Sequence, residues 1–353
     1  MEALTDVTVT TKDVGRSGFE LNFSVSTRSP LHTLFLLSGG SPINILRIVV
    51  VVIFNGTPNV IMDGVVTDHE IKPSPHAGYA TLTLTGEDLT VLMDKIDFSG
   101  FPFPATPAEG RVALMLLKYL VLGIVPLIVP SILIDVPIPI ERIPAQRSTD
   151  LAYIKALAAK VGYVFYLDPG PLPGTNVAYW GPQIKIGVPQ PALNTNMDAH
   201  TNVESLSFKF DNHQNAIPTL FYYNEQTKVA FPIPIPPITP LSPPLGIIPP
   251  IPTRLAPVGD NLAKVPLAQG ILIGLAKAAK WAEAVTAKGE LNVVRYGHIL
   301  KARQLVGVRG AGTAFDGLYY VKKVTHSIKR GEYKQSFELS RNGLISTLPR
   351  VPA

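Results

Sequence analysis

The chain closes on "YYVKKVTHSIKRGEYKQSFELSRNG", Tyr319 to Gly343. Two runs meet at Lys329-Arg330-Gly331, and the pair predicts a β-hairpin with a tight turn. In the second run Tyr333, Gln335, Phe337 and Leu339 share one face, because strand side chains alternate. That pattern predicts Phe337 and Leu339 in a core, with Lys334 and Glu338 pointing outward. The hairpin is also basic. From Arg295 onward about eleven Lys and Arg stand against three acids, more than the whole chain's excess of +5. Nucleic-acid binding is one reading of Lys322, Lys323, Lys329, Arg330 and Lys334. No nucleic-acid motif surrounds them, so a solvated or subunit-facing surface is the favoured one.

Working outward, 353 residues can hold two or three domains. Charged residues make up 16% and hydrophobic ones 46%. This argues against disorder and points to apolar surface covered by assembly. There is no cysteine, which removes disulfides, thiol nucleophiles and thiolate metal sites together. The polar, acidic start "MEALTDVTVTTKD" is not expected to be a signal peptide. "YLVLGIVPLIVPSILI" (Tyr119–Ile134) mimics a membrane span, but its 16 residues fall short of the roughly 20 that a helix needs. Pro126 and Pro130 would break that helix. A helix end running into extended chain, or an oligomer contact, is expected instead, without stable membrane insertion.

The first hundred residues read as β. "FELNFSVST" alternates Phe19, Leu21, Phe23 and Val25 against polar neighbours, and "YATLTLTG" (Tyr79–Gly86) alternates again. "ILRIVVVVIF" (Ile45–Phe54) reads as a buried strand. Helices are expected in "ATPAEGRVALMLLKYLVLG", with Thr106 and Glu109 as a capping box and Pro107 at the first helical position. "STDLAYIKALAAKVGYVFYL" predicts a second helix, with Leu151, Ile154, Leu157, Ala158 and Val161 on one face and Gly162 at its end. Phe231–Pro257 is too rich in proline for helix or central strand and reads as extended, packed chain or a stiff spacer. "LAQGILIGLAKAAKWAEAVTAKG" reads as a helix ending near Gly289.

Catalytic chemistry is mostly missing. The seven histidines (His32, His69, His76, His200, His213, His298, His326) form no ligand pair at helical spacing. "DHE" (Asp68–Glu70) and "DAHTNVE" (Asp198–Glu204) could be drawn as metal sites, yet adjacent strand residues face opposite ways, and solvated residues are the expectation. "GVRGAG" (Gly307–Gly312) lacks the following helix that a phosphate loop requires, so a turn is expected. No nucleophile elbow and no cofactor motif appear. Catalytic, cofactor and metal residues are therefore all read as none, and the chain as not an enzyme.

Three stretches carry a resemblance. "QRSTDLAYIKALAAKVGYVFYLDPG" (Gln146–Gly170) resembles the strand-flanked helix of phage late control D proteins. Arg295–Gly343 is similar to that family's C-terminal strands, with their "G.Y.V..V.H" and "L.RNG" pattern. "FSVSTRSPLHTLFLLSG", "VVTDHEI" and "LTGEDLTVLMD" resemble its first β-domain. The family forms the baseplate central hub of contractile tails and related injection machines, akin to the N-terminal part of VgrG spikes.

The resemblance implies a mainly β chain with a few helices (α+β). It implies two similar small β-barrel domains, interleaved in sequence, plus a helical and Pro-rich insertion. Residues 1–98, completed by 203–230, would form the first barrel, and 99–139 a helical, apolar connector. Residues 140–202 and 290–346 would form the second barrel, 231–289 a Pro-rich strap and Ala-rich helix, and 347–353 a tail. The implied role is a homotrimeric, pseudo-sixfold ring that adapts a hexameric tail tube to a trimeric spike around a channel. Implied partners are the tube, the spike, other baseplate proteins and the tape measure, with DNA only in transit. The implied location is a virion baseplate or injection particle, assembled in the bacterial cytoplasm. With no spike or lysozyme segment after Ala353, the puncturing device is expected to be a separate chain. A cell-envelope hydrolase or pore component of the same machine is the alternative.

Overall fold

The computed structural model describes residues 3–26, 46–73, 78–131, 137, 140, 143–211, 216–224, 228–236, 242–249, 254–257 and 267–348. Thr27–Gly39 of "FSVSTRSPLHTLFLLSG", Ile132–Ile134 of the apolar run and most of the 347–353 tail lie outside them.

The N-terminal β unit comprises β1 (Ala3–Lys12), β2 (Gly18–Ser26), β3 (Arg47–Phe54), β4 (Thr57–Pro73) and β5 (Tyr79–Asp88). Alternation set these strands. Phe19, Leu21, Val25, Leu82 and Leu84 all point into one core. Next in the chain comes a helical layer, built from α1 (Ala108–Leu117), β6 (Ile124–Ile128), α2 (Asp150–Lys160), β7 (Val164–Pro169) and β8 (Asn176–Gly181). β6, β8 and β7 form a small sheet in that order, on which α1 and α2 pack around Trp180, Ile154 and Leu116.

The remaining elements are β9 (Gln190–Asn194), β10 (Val203–Phe210), β11 (Ala216–Asn224), β12 (Val229–Pro234), β13 (Gly246–Ile248), β14 (Arg254–Pro257), α3 (Leu267–Trp281) and β15 (Val285–Asn292). They are followed by α4 (Val293–Tyr296), β16 (Leu305–Arg309), β17 (Gly317–Lys329), β18 (Glu332–Arg341) and β19 (Leu344–Ser346).

The expected class holds: the chain is mainly β with a few helices. Closed barrels do not form. The main sheet runs β10-β15-β18-β17-β1-β2-β5-β4-β3 in one open order, with β16 and β9 attached beside β17. The reason lies at β1, whose two edges are taken by β2 and by β17, so the first unit continues into the second instead of curling onto itself. β10, read from sequence as part of the first unit, is hydrogen-bonded to β15.

The hairpin forms as expected: β17 and β18 pair from Tyr320↔Ser340 to Lys329↔Glu332, and Gly331 adopts φ +81°. Phe337 and Leu339 are buried. The ring of Phe337 lies over β15 at Gly289, where a Cβ would come within 2.6 Å of it. The N-terminal unit repeats the device. A Cβ on Gly86 would fall 2.2 Å from the ring of Phe19. In each unit an aromatic side chain fills the space that a strand glycine leaves open.

Three expectations are corrected. "ILRIVVVVIF" is half-buried rather than buried: β3 ends the sheet order and Ile53 is 74% exposed. The capping box at α1 does not form. Thr106 donates to the Pro104 carbonyl, Pro107 is itself the N-cap, and Glu109 is drawn away to Ser131. The Ala-rich helix stops at Trp281, because Val285–Gly289 finds strand partners in β10 and β18. The described part of the Pro-rich segment is extended, in short strands. β12 and β14 flank β11, so their prolines sit on edge strands where a missing N–H is tolerated.

The second helix matches its pattern throughout. Leu151, Ile154, Leu157, Ala158 and Val161 are buried, Thr149 caps by accepting from the Ala152 N–H, and Gly162 takes φ +72°.

Phe337→Ala removes a ring enclosed by β15, β17 and β18 and is expected to cost about 3–5 kcal/mol. Urea denaturation of the purified chain measures it. A loss below about 1 kcal/mol would place Phe337 outside the core.

Candidate functional site

The sequence candidates for metal and phosphate chemistry do not assemble. The His69 N–H donates to Asp68 at 2.8 Å, and Glu70 pairs with Lys72. Asp198–His200 is an exposed 3₁₀ turn, while Glu204 pairs with Lys334 across the sheet. Among the described residues no three His, Asp or Glu side chains converge as metal ligands. His32, His76 and His213 lie outside those residues. In "GVRGAG" the chain turns at Gly310 (φ +81°), whose Cβ position would meet the Thr195 carbonyl at 1.9 Å. The Ala311 N–H donates to Asp316 at 2.7 Å, so an acid already occupies a donor that a phosphate would need.

The structure divides the basic hairpin into two parts. Lys334 is surrounded by Glu204 (2.8 Å), Glu332 (3.3 Å) and Glu290 (3.5 Å), and Glu204 and Glu332 hold its ammonium above the usual lysine range. Lys322 reaches Glu283 at 3.0 Å, and Lys185 binds the other oxygen of the same carboxylate. Burial works against ionisation of Glu283, but the two ammonium groups outweigh it and hold its pKa below the usual range. Lys329 and Arg330 are exposed at the turn.

Under this surface the hairpin's polar residues are structural. His326 is buried, its Nδ1 lying 2.7 Å from the Tyr333 hydroxyl and 3.4 Å from Gln335 Nε2. An amide nitrogen can only donate, so Nδ1 is the accepting, unprotonated nitrogen. Gln335 clasps the backbone of Leu300, accepting from its N–H (2.9 Å) and donating to its carbonyl (2.8 Å). Arg341 is 1% exposed, donates to the carbonyls of Gly343, Asp316 and Ala314, and lies over the Tyr319 ring. Asn342 clamps Leu245 and Pro243 of the Pro-rich segment. The "V..H" and "RNG" signatures are thus anchors of the fold.

The same holds for Gln146 and Asp150. Asp150 is fully buried and accepts from Tyr119 (2.7 Å), Gln146 (2.8 Å) and Lys118 (2.6 Å).

Sequence reasoning missed Arg303. Its guanidinium stacks on Tyr166 at 4.0 Å and donates to Asp168, to the Lys12 carbonyl and to the Asp13 carbonyl, which joins all three layers. Those partners are far apart along the chain, so no local spacing announces them. Positive φ at a non-glycine position (+66°) is its structural mark.

Two surface features remain. Residues 119–128 of the apolar run form a 3₁₀ turn and edge strand β6, leaving Val121 89% exposed; Val125, Leu127, Leu117 and Leu114 are exposed as well. No helix among the described residues is long and apolar enough to cross a membrane. A groove of about 440 Å³ lies between Phe54–Asn59 and the Gly297–Gln304 loop. Gln190 in its lining spends both ends of its amide on the Lys301 backbone.

No family model matches the sequence, and no curated protein matches it. Solved structures do match the fold. A tail protein from Neisseria meningitidis MC58 superposes with a TM-score of 0.64 at 12% identity, over 97% of this chain and 93% of that one. The 43 kDa tail protein of prophage MuSo2 from Shewanella oneidensis gives 0.61 at 14%, over 96% and 94%. An E. coli component of the type VI secretion system, itself similar to the T4 tail proteins gp27 and gp5, gives 0.58 at 12%, over 100% and 77%. The chain therefore has the fold of these phage tail and type VI secretion proteins.

Burial pushes the pKa of His326 down to about 4, from an ordinary 6.5. Between those values the unfolded chain binds a proton that the folded chain refuses, so stability is lost as pH falls from 6.5 toward 4. The loss amounts to about 3 kcal/mol at the lower end. Thermal unfolding from pH 7 to 4.5 should show it, and His326→Gln should flatten the slope. An equal slope in that variant would assign the acid sensitivity elsewhere.

Proposed function

We propose that this chain is a structural baseplate hub of a contractile phage tail or a phage-derived injection system. In this reading three copies form a ring with a central channel, and two related β units per subunit give it pseudo-sixfold symmetry. The ring adapts a hexameric tail tube to a trimeric spike. Its partners are its own copies, the tube and spike proteins, neighbouring baseplate proteins and a tape measure in the channel, while DNA passes without being held. Residues 1–98 would serve one unit, and 140–202 and 290–346 the other, with β10 joined to the second through β15. The chain would be part of the particle and carry no active site.

The observation that carries this reading is likeness of fold to a tail protein over nearly the full length of both chains. The exposed apolar side chains near Val121 also favour assembly, since surface of that kind is usually covered by a partner. The described part of the apolar run folds as a turn and an edge strand, which suits a subunit contact.

Light scattering or native mass spectrometry tests the ring. The expected mass is three times the 38.1 kDa chain. A stable monomer at micromolar concentration, with spike protein present, overturns it. Charge reversal at Lys329 and Arg330 should leave the isolated fold within about 0.5 kcal/mol, since both lie on an exposed turn. Any effect on docking to tube or neighbour should fade as salt rises. Unfolding of the isolated variant would contradict this placement of the turn.

A further inference from the structure

Where the Pro-rich chain returns to the end of the hairpin it closes over a small cavity of about 10 Å³. Its lining includes Lys185, Ser242, Leu245, Glu283, Ser340 and Asn342. Ser340 is 1% exposed, and its hydroxyl has no hydrogen-bond partner among the described residues. Beside it lies the buried ammonium–carboxylate pair of Lys185 and Glu283. Asn342 holds the roof, accepting from the Leu245 N–H at 2.7 Å and donating to the Pro243 carbonyl at 3.3 Å.

We propose that this cavity is a binding site for one water molecule, which pairs with the Ser340 hydroxyl and the Lys185–Glu283 pair and so seats Ser242–Leu245 on the hairpin. A space of roughly 10–15 Å³ holds one water, and such a water needs two to four polar partners. Purely apolar cavities stay dry, but Ser340, Lys185 and Glu283 border this one and bring polar groups to it. The mixed lining also selects the occupant. Water accepts from Lys185 and donates to Glu283, whereas a halide ion would face the carboxylate at close range.

The test is a crystal structure of the full chain, grown in sodium bromide at a resolution that shows ordered water. One density peak within hydrogen-bond reach of Ser340 Oγ, without bromide anomalous signal, is the expected result. An empty cavity or a bromide peak there overturns the proposal. Amide exchange supplies a second readout. Ser340→Ala removes one of the water's partners and should speed exchange at the Leu245 N–H about tenfold, leaving the Phe337 amide unchanged. An unaltered Leu245 rate would show that the water does not seat the segment.

Discussion

Everything in this fold hangs on one pairing, that of β1 with β17. From Asp6↔Lys329 to Lys12↔Lys323 the first strand of the chain is hydrogen-bonded to the long strand near its end. β17 can serve because its other edge is filled by β18, while its first residues pair with β16. A bulge between Val321 and Lys323 separates these stretches and shifts the register on β18. Extra twist at such a point is what a bulge supplies. The two β units thus share a single sheet through a strand that belongs to one of them.

The charges buried at the seams follow from that arrangement. Arg303, in the loop before β16, is placed where the end of β1 and sheet strand β7 converge, and it binds groups from both. Glu283 lies between two lysines drawn from segments far apart in sequence. Asp63 does the same work on the opposite side, pairing with Arg47 and accepting from Asn176 at 2.9 Å. Buried pairs of this kind contribute little net stability against apolar packing, yet they are costly to leave half made. Their effect is to admit one docking of the layers and to penalise others.

This explains how much of the molecule could be read in advance. The hairpin face at Phe337 and Leu339, the alternation at Phe19 to Val25 and the apolar stripe of α2 were legible, because each is a periodic local signal. Val285–Gly289 was not. Its alanine-rich approach favours helix, and only the hydrogen bonds of β10 and β18 make it a strand. Likewise Glu109 satisfies the spacing of a capping box, but Ser131 offers a better partner that only the folded chain brings near. The polar residues of the hairpin were visible as a pattern, while their roles were not. His326, Gln335 and Arg341 look like surface chemistry in sequence and prove to be internal supports. Open sheet versus closed barrel depended on which strand meets β1, a long-range fact with no local trace.

That long-range pairing also has a history in time. β1 leaves the ribosome first, and the strand that completes its second edge follows more than three hundred residues later. At ordinary elongation rates this interval is about 15–60 s. Throughout it β1 and β2 can form their hairpin while the outer edge of β1 keeps its amides and carbonyls unpaired. Such an edge accepts any strand of suitable pattern. The β17 of another nascent copy fits it as well as the chain's own, so correct assembly becomes a race between intramolecular closure and exchange between neighbouring polysomes.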